Sequence, residues 1–268
     1  LLGGVGFSFN GRDIVLPNRK ARAAIAVIAL SDRKEYPRDR LTGLFWSESD
    51  QSHANAALRQ ALHEARTAFA AVGCDWLQPN RLTIGLGGGP IEIDILEILA
   101  GIEHEHAPPD SARPVVTSSL FAGFDDLDDA FEEWVNTFRD SIRSRHLRAL
   151  ETAFRDPRTP KTARRMLADL ALAQDPTHEE ACRTAMRCAA EDGEVAAAMR
   201  YYDNLDRLLD SDFDMEPSVA TQAMVADIKQ GKFDPQPSAP SPQETERHRV
   251  DPVPRGPPWV AVLPFRTI

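Results

Sequence analysis

The stretch DQSHANAALRQALHEARTAF, residues 50–69, decides how the first half of the chain is read. At about 3.6 residues per turn, Leu58, Ala61, Leu62, Ala65 and Phe69 share one arc, and Ser52, Asn55, Arg59, His63 and Arg66 share the adjoining one. The spacing predicts an amphipathic helix with one apolar stripe turned to a core. Asp50 precedes the periodic part and is the expected cap, because its carboxylate can accept from the N–H groups that a first helical turn leaves unpaired. Taken alone, the polar arc is an ordinary solvated face, so its meaning rests on what surrounds it.

Upstream, VGFSFNGRDIVLP (5–17) alternates apolar and polar residues on both sides of Asn10-Gly11, a dipeptide suited to the positive φ angles of a tight hairpin. The chain opens without Met and already inside this pattern, which points to a longer natural N-terminus. NRKARAAIAVIAL (18–30) places Ala21, Ile25, Ile28 and Ala29 at helical spacing, and PRDRLTGLFW (37–46) places Leu41, Leu44 and Phe45 on one side of a second helix. Downstream, DWLQPNRLTIGLGGGPIEIDI (75–95) reads as two strands, LTIGL and IEIDI, around GGGP, with an exposed QPNR turn before them. A hairpin, three helices and closing strands follow one another.

From about residue 118 to 231 the pattern is helical throughout. Phe131, Trp134, Val135, Phe138 and Ile142 recur at helical spacing, and these large apolar side chains read as core. Segments 161–174, 177–191, 194–211 and 217–229 suggest stacked, tetratricopeptide-like helical hairpins punctuated by DPTHEE and AEDG. Residues 234–258 are rich in proline and nearly free of apolar residues, which predicts a linker, and WVAVLPFRTI (259–268) reads as the opening strand of a further, truncated domain. The expected division is therefore 1–96, mixed helix and strand; 97–233, all helix; linker; and a new beginning.

Composition fits a two-domain intracellular chain: 268 residues, 42% hydrophobic and 27% charged. The longest apolar run, AAIAVIAL (23–30), is far short of the roughly 18 residues of a membrane span, and no signal peptide opens the chain. Cys74, Cys182 and Cys188 are odd in number and lack CxxC spacing, so they read as buried thiols, neither disulfide framework nor zinc site. The net charge of −10 is unevenly spread: residues 1–73 hold ten Lys and Arg against seven Asp and Glu. A basic front on an acidic body suits a module that meets an anion.

GLGGGP (85–90) lacks a following GK[ST] and reads as a tight turn, and HEH (104–106) has alternate spacing with no neighbouring ligand and reads as a solvated loop. No catalytic signature appears, so no catalytic residue, metal ligand or cofactor is nominated. Arg19, Lys20 and Arg22 are more informative, because cations in the first turn of a helix oppose its dipole and call for a compensating anion. A bound phosphate would supply it, and the order of elements describes a winged helix-turn-helix, whose third helix reads the major groove. The polar arc then has a target: Arg59 and Arg66 suit guanine or flanking phosphates, and Asn55 suits adenine, with Ser52 and His63 beside them. Arg81, on the QPNR turn, would sit on the wing and reach a phosphate or the minor groove.

LPNRKARAAIAVIAL, DRLTGLFW, ANAALRQALHEAR, LFAGFDDLDDAFEEWV, LADLALAQDPTHEEACRTAMRCAAEDGEVAAAMRYYDNL and FDMEPSVATQAM resemble, in that order, the SARP-type transcriptional activators across about residues 1–231. That family joins an OmpR-like winged helix to a tetratricopeptide-like bacterial transcriptional activator domain. The resemblance implies a cytoplasmic, non-enzymatic activator that binds repeated promoter sites on double-stranded DNA, as a homodimer or higher oligomer, and contacts RNA polymerase. Two positions depart from the family pattern: Glu64 lies in the reading helix, where a carboxylate repels phosphate, and Ala65 is smaller than the leucine expected there. Both would weaken or redirect DNA binding, and the acidic overall charge together with Glu64 favours a rival reading, in which the winged helix no longer binds DNA and the chain is a protein-interaction scaffold or the regulatory front of a larger sensor or enzyme.

Overall fold

Asn10 and Gly11 both take positive φ, 50° and 74°, the backbone that a two-residue type I′ hairpin requires, and they close β1 (Ser8–Phe9) onto β2 (Arg12–Asp13). The computed structural model describes residues 1, 3–104 and 119–233. Helix α1 (Arg19–Leu30) starts at Asn18, whose side-chain oxygen accepts the Ala21 N–H at 3.0 Å, and its alanines and isoleucines are buried nearly all round. A short strand, β3 (Glu35–Pro37), leads into α2 (Arg38–Phe45). Helix α3 (Gln51–Ala71) begins as its sequence predicts, with the Asp50 carboxylate accepting from Ser52 N–H at 3.0 Å and His53 N–H at 3.1 Å. Leu58, Ala61, Leu62, Ala65 and Phe69 are all buried, so the apolar arc forms as expected.

The closing strands differ from the expectation. β4 (Leu77–Pro79) and β5 (Thr83–Leu86) form the hairpin around the turn at 80–82, and β3 pairs antiparallel with the other edge of β5 to give the order β3-β5-β4. LTIGL is a strand, but IEIDI is not: α4 (Asp94–His104) begins inside it. Ile95, Leu99 and Ile102 are buried with helical spacing, and Asp94 and Glu97 stand in the first turn where the dipole favours acids. The alternation of five residues was overridden by the longer helical period behind it. Of the GLGGGP run expected to be a turn, Gly85 and Leu86 end β5 and the chain bends only at Gly88 and Gly89; Gly88 has φ 104°, and a Cβ there would lie 2.3 Å from the Trp76 ring. His104 closes α4 and thus departs from the predicted loop, while Glu105, His106, the linker 234–258 and the strand at 259–268 lie outside the described residues.

The helical half consists of α5 (Asp129–Arg155), α6 (Lys161–Gln174), α7 (Glu179–Glu191), α8 (Val195–Phe213) and α9 (Val219–Lys229), close to the predicted segments. Small alanines at 168, 171, 181 and 185 line the buried faces of α6 and α7 and let the helices approach closely. The core does not divide where the expected boundary at residue 96 lies. One cluster joins Ile25, Ile28, Leu41, Phe45, Leu58 and Ile84 to Leu99, Phe121, Phe131 and Val135. Phe45 and Phe131 lie 4.7 Å apart between ring centroids. The N-terminal backbone joins in, with Gly3 N–H bonded to Ser119 C=O at 3.0 Å and Phe121 N–H to Leu1 C=O at 3.2 Å. Among the described residues no helix is long and apolar enough to cross a membrane.

Candidate nucleic-acid interface

Ser52, Arg59, His63 and Arg66 are exposed on α3, with Asn55 half-buried at the edge of the same arc. Over this span the helix rises about 21 Å, enough to lie along a major groove. Arg59 and Arg66 enter no ion pair among the described residues, so their guanidinium groups point into solvent uncompensated. Ser52 donates its hydroxyl to Asp50 at 2.7 Å, and Asn55 accepts from Gln51 at 3.4 Å. The Ser52 hydroxyl and then His53 hold the Asp50 carboxyl well below its usual range, at about 2, so the cap stays charged at any physiological pH.

The wing tip is the turn of the β4–β5 hairpin. Asn80, Arg81 and Leu82 are all exposed there, Leu82 to 74%, and Arg81 has no ion-pair partner among the described residues. Arg38, the first residue of α2, braces this tip by donating Nε to the Asn80 carbonyl at 2.8 Å, while its N–H bonds the Leu82 carbonyl at 2.9 Å. The wing is thereby tied to the helix preceding α3.

Glu64 lies off the polar arc. Its carboxylate accepts from Asn18 Nδ2 at 2.8 Å and Gln60 Nε2 at 2.9 Å, and these bonds lower its pKa. It therefore joins α3 to the start of α1, away from Arg59. Ala65 is fully buried beneath α3, where a leucine would need extra room. Both departures from the family pattern are packing features.

Arg19, Lys20 and Arg22, expected to hold the DNA backbone, are engaged within the chain. Arg19 forks onto the Asp126 carboxylate and the Gly123 carbonyl and lies 5.7 Å from the Phe124 ring centroid. The hydrogen bond to Asp126 raises the Arg19 pKa and lowers that of Asp126. Lys20 donates to the Phe45 carbonyl and stands 3.8 Å from Asp128, and Arg22 lies 5.0 Å from the centre of the Phe124 ring. The compensating anion that the helix start demands is thus supplied by the acidic segment before α5. The run Asp125-Asp126-Leu127-Asp128-Asp129 was the available signal in the sequence, a cluster of acids matching a cluster of bases a hundred residues earlier.

The three cysteines are free and buried, as expected, and desolvation pushes each thiol up, Cys182 to about 12, so none is a nucleophile at neutral pH. Among the described residues no three His, Cys, Asp or Glu side chains gather as a metal site.

Residues 116–229 match the family model of the bacterial transcriptional activator domain. The architecture is a winged helix followed by a stack of helices. The structure of Mycobacterium tuberculosis EmbR in complex with a low-affinity phosphopeptide shares the fold, with a TM-score of 0.60 at 18% identity over 86% of this chain. The chain spans 64% of the length of that EmbR chain. No curated protein sequence matches. The matched residues take in α5 to α9, and the winged helix precedes them, packed against α5.

Proposed function

We propose that the chain is a sequence-specific, DNA-binding transcriptional activator acting in the cytoplasm. The observation that carries this reading is the uncompensated polar arc of α3, flanked by an exposed Arg81 on a braced wing. Arg59, at the centre of the arc, pairs with guanine through its two-pronged donor edge; Asn55 pairs with adenine; Ser52, His63 and Arg66 contact neighbouring bases or phosphates. Arg81 holds phosphate or the minor groove. Arg19, Lys20 and Arg22 fasten the winged helix to the activator domain, a role their present partners support better than backbone contact. The family resemblance adds repeated promoter sites, a homodimer or side-by-side pair, and contact with RNA polymerase through the helical half.

The rival scaffold reading drew on the acidic overall charge and on Glu64, and the carboxylate of Glu64 is engaged by Asn18 and Gln60 rather than by the arc. The deciding experiment selects bound sequences from a pool of random duplex DNA at near-physiological salt, with the wild-type chain and with Arg59→Ala. An enriched, repeated motif that blurs in the variant is expected. Absence of enrichment in a folded protein would overturn the activator reading.

A further inference from the structure

Helix α8 ends in a tight corner. Asp214 takes a left-handed φ of 52°; its N–H bonds the Asp210 carbonyl at 3.2 Å and the Met215 N–H bonds the Leu209 carbonyl at 3.1 Å. In this closing motif the residue after the left-handed one commonly folds back onto the helix. Met215 instead stays 59% exposed, next to Phe213 at 57% and Val219, the first residue of α9, at 83%. Three large apolar side chains within seven residues face solvent, far more than scattered surface hydrophobes require.

The corner is held from both ends. Beyond the α8 motif, Glu179 of α7 reaches across to the start of α9, accepting the Ser218 N–H at 3.0 Å and the Thr221 hydroxyl at 2.5 Å. Pro217 between them is buried. A loop fixed in this way presents its apolar side chains with little ordering left to do on binding.

Acidic residues run through the same stretch of chain. Asp203, Asp206, Asp210, Asp212, Asp214 and Glu216 are all exposed, with Arg207 the one cation between positions 203 and 216. None of the six carboxylates enters an ion pair among the described residues. Some of them converge: after burial, Asp206, Glu216 and Asp203 in turn push the Tyr202 phenol up. Exposed apolar side chains interspersed with carboxylates that form no ion pair are complementary to a segment with the opposite charge and an apolar stripe.

We infer that the α8–α9 corner is a docking surface for a cationic, amphipathic helical segment of a protein partner. The apolar stripe of that segment covers Phe213, Met215 and Val219, and its lysines and arginines pair with the interspersed carboxylates. The assignment rests on this corner alone and stands whether or not the winged helix reads DNA.

The test uses the full chain and a fluorescently labelled amphipathic peptide of about 14 residues, four turns of helix, with leucines on one face and lysines on the other. A peptide of the same composition, shuffled to scatter its leucines, serves as the control. At about 0.15 M salt the amphipathic peptide should bind at least about tenfold more tightly than the shuffled one, as read by anisotropy. Phe213→Ser with Val219→Ser should erase that preference while leaving the circular dichroism spectrum unchanged, because both side chains are exposed. Asp210→Asn with Glu216→Gln should flatten the salt dependence. Equal binding of the two peptides, or unchanged binding by the serine variant, would overturn the proposal. So would a serine variant that converts a dimer to monomer in sedimentation while the amphipathic peptide shows no preference, since the corner would then be a contact between copies. Selection of DNA by the same serine variant keeps this result separate from the activator reading.

Discussion

The Asp128 carboxylate accepts both the backbone N–H of Ser47, at 3.2 Å, and its hydroxyl, at 2.7 Å. The same carboxylate caps α5 by accepting the Ala130 N–H at 3.2 Å. Ser47 lies in the turn between α2 and α3, so one side chain at the start of α5 helps fix the orientation of α3. Replacing Asp128 by Ala should cost about 1–2 kcal/mol through the lost cap, measured by urea unfolding. It should also weaken DNA binding without touching any DNA-facing residue. Stability lost with DNA affinity intact, once the variant is fully folded, would mean that the turn holds its shape unaided.

Residues 1–96 alone should fail to fold cooperatively, because Leu120, Phe121, Phe131 and Val135 complete the core under α1 and α2. In the full chain, Phe131→Ala should cost about 3–5 kcal/mol, as a buried aromatic leaves a large cavity. Denaturant unfolding of both proteins checks this. A sharp, native-like transition for residues 1–96 would show that the winged helix is self-sufficient.

Acid should loosen the helical half through His146. This side chain is fully buried, its Nδ1 meets Gln174, and its Nε2 has no hydrogen-bond partner among the described residues. Burial pushes its pKa below the ordinary 6.5, only partly offset by Gln174. The unfolded chain therefore takes up a proton at a higher pH than the folded chain, so stability falls as pH drops below about 6.5 and through the folded value. Unfolding curves at neutral and mildly acidic pH should separate more for the wild type than for His146→Leu. Equal separation would assign the acid sensitivity to other groups.

Salt titration should distinguish the two kinds of arginine. Arg81→Ala should reduce the slope of log affinity against log salt by about one unit, as loss of a phosphate contact does. Arg19→Ala should leave that slope alone and lower thermal stability, because its partners are Asp126 and the Gly123 carbonyl. A reduced slope for Arg19→Ala would return that residue to the DNA face.

Most of this architecture was legible in the sequence because the deciding signals were local. Asp50 ahead of a periodic run predicts both the cap and the buried arc of α3, and Asn10-Gly11 predicts its hairpin. β3 was missed because Glu35–Pro37 is too short to show alternation and exists only through its pairing with β5. The wing hairpin was displaced because IEIDI alternates over five residues before the helical spacing of Ile95, Leu99 and Ile102 takes over. The basic cluster calls for an anion, but the sequence points to phosphate while the partner in the fold is Asp126, more than a hundred residues away, and a pairing over that distance leaves no periodic trace. The face of Arg59 was legible from spacing alone, whereas the role of Glu64 depended on Asn18 across the fold.

If α3 reads DNA as proposed, the shared core has a geometric consequence. With Phe131 packed beside Phe45, α5 is anchored to α2, the helix before α3. Two copies bound side by side would meet only where their sites recur with the pitch of the duplex, about 10–10.5 base pairs from centre to centre. Shifting one site by half a turn would place the second copy on the opposite side of the double helix, beyond contact with the first, however firmly each copy held its own sequence.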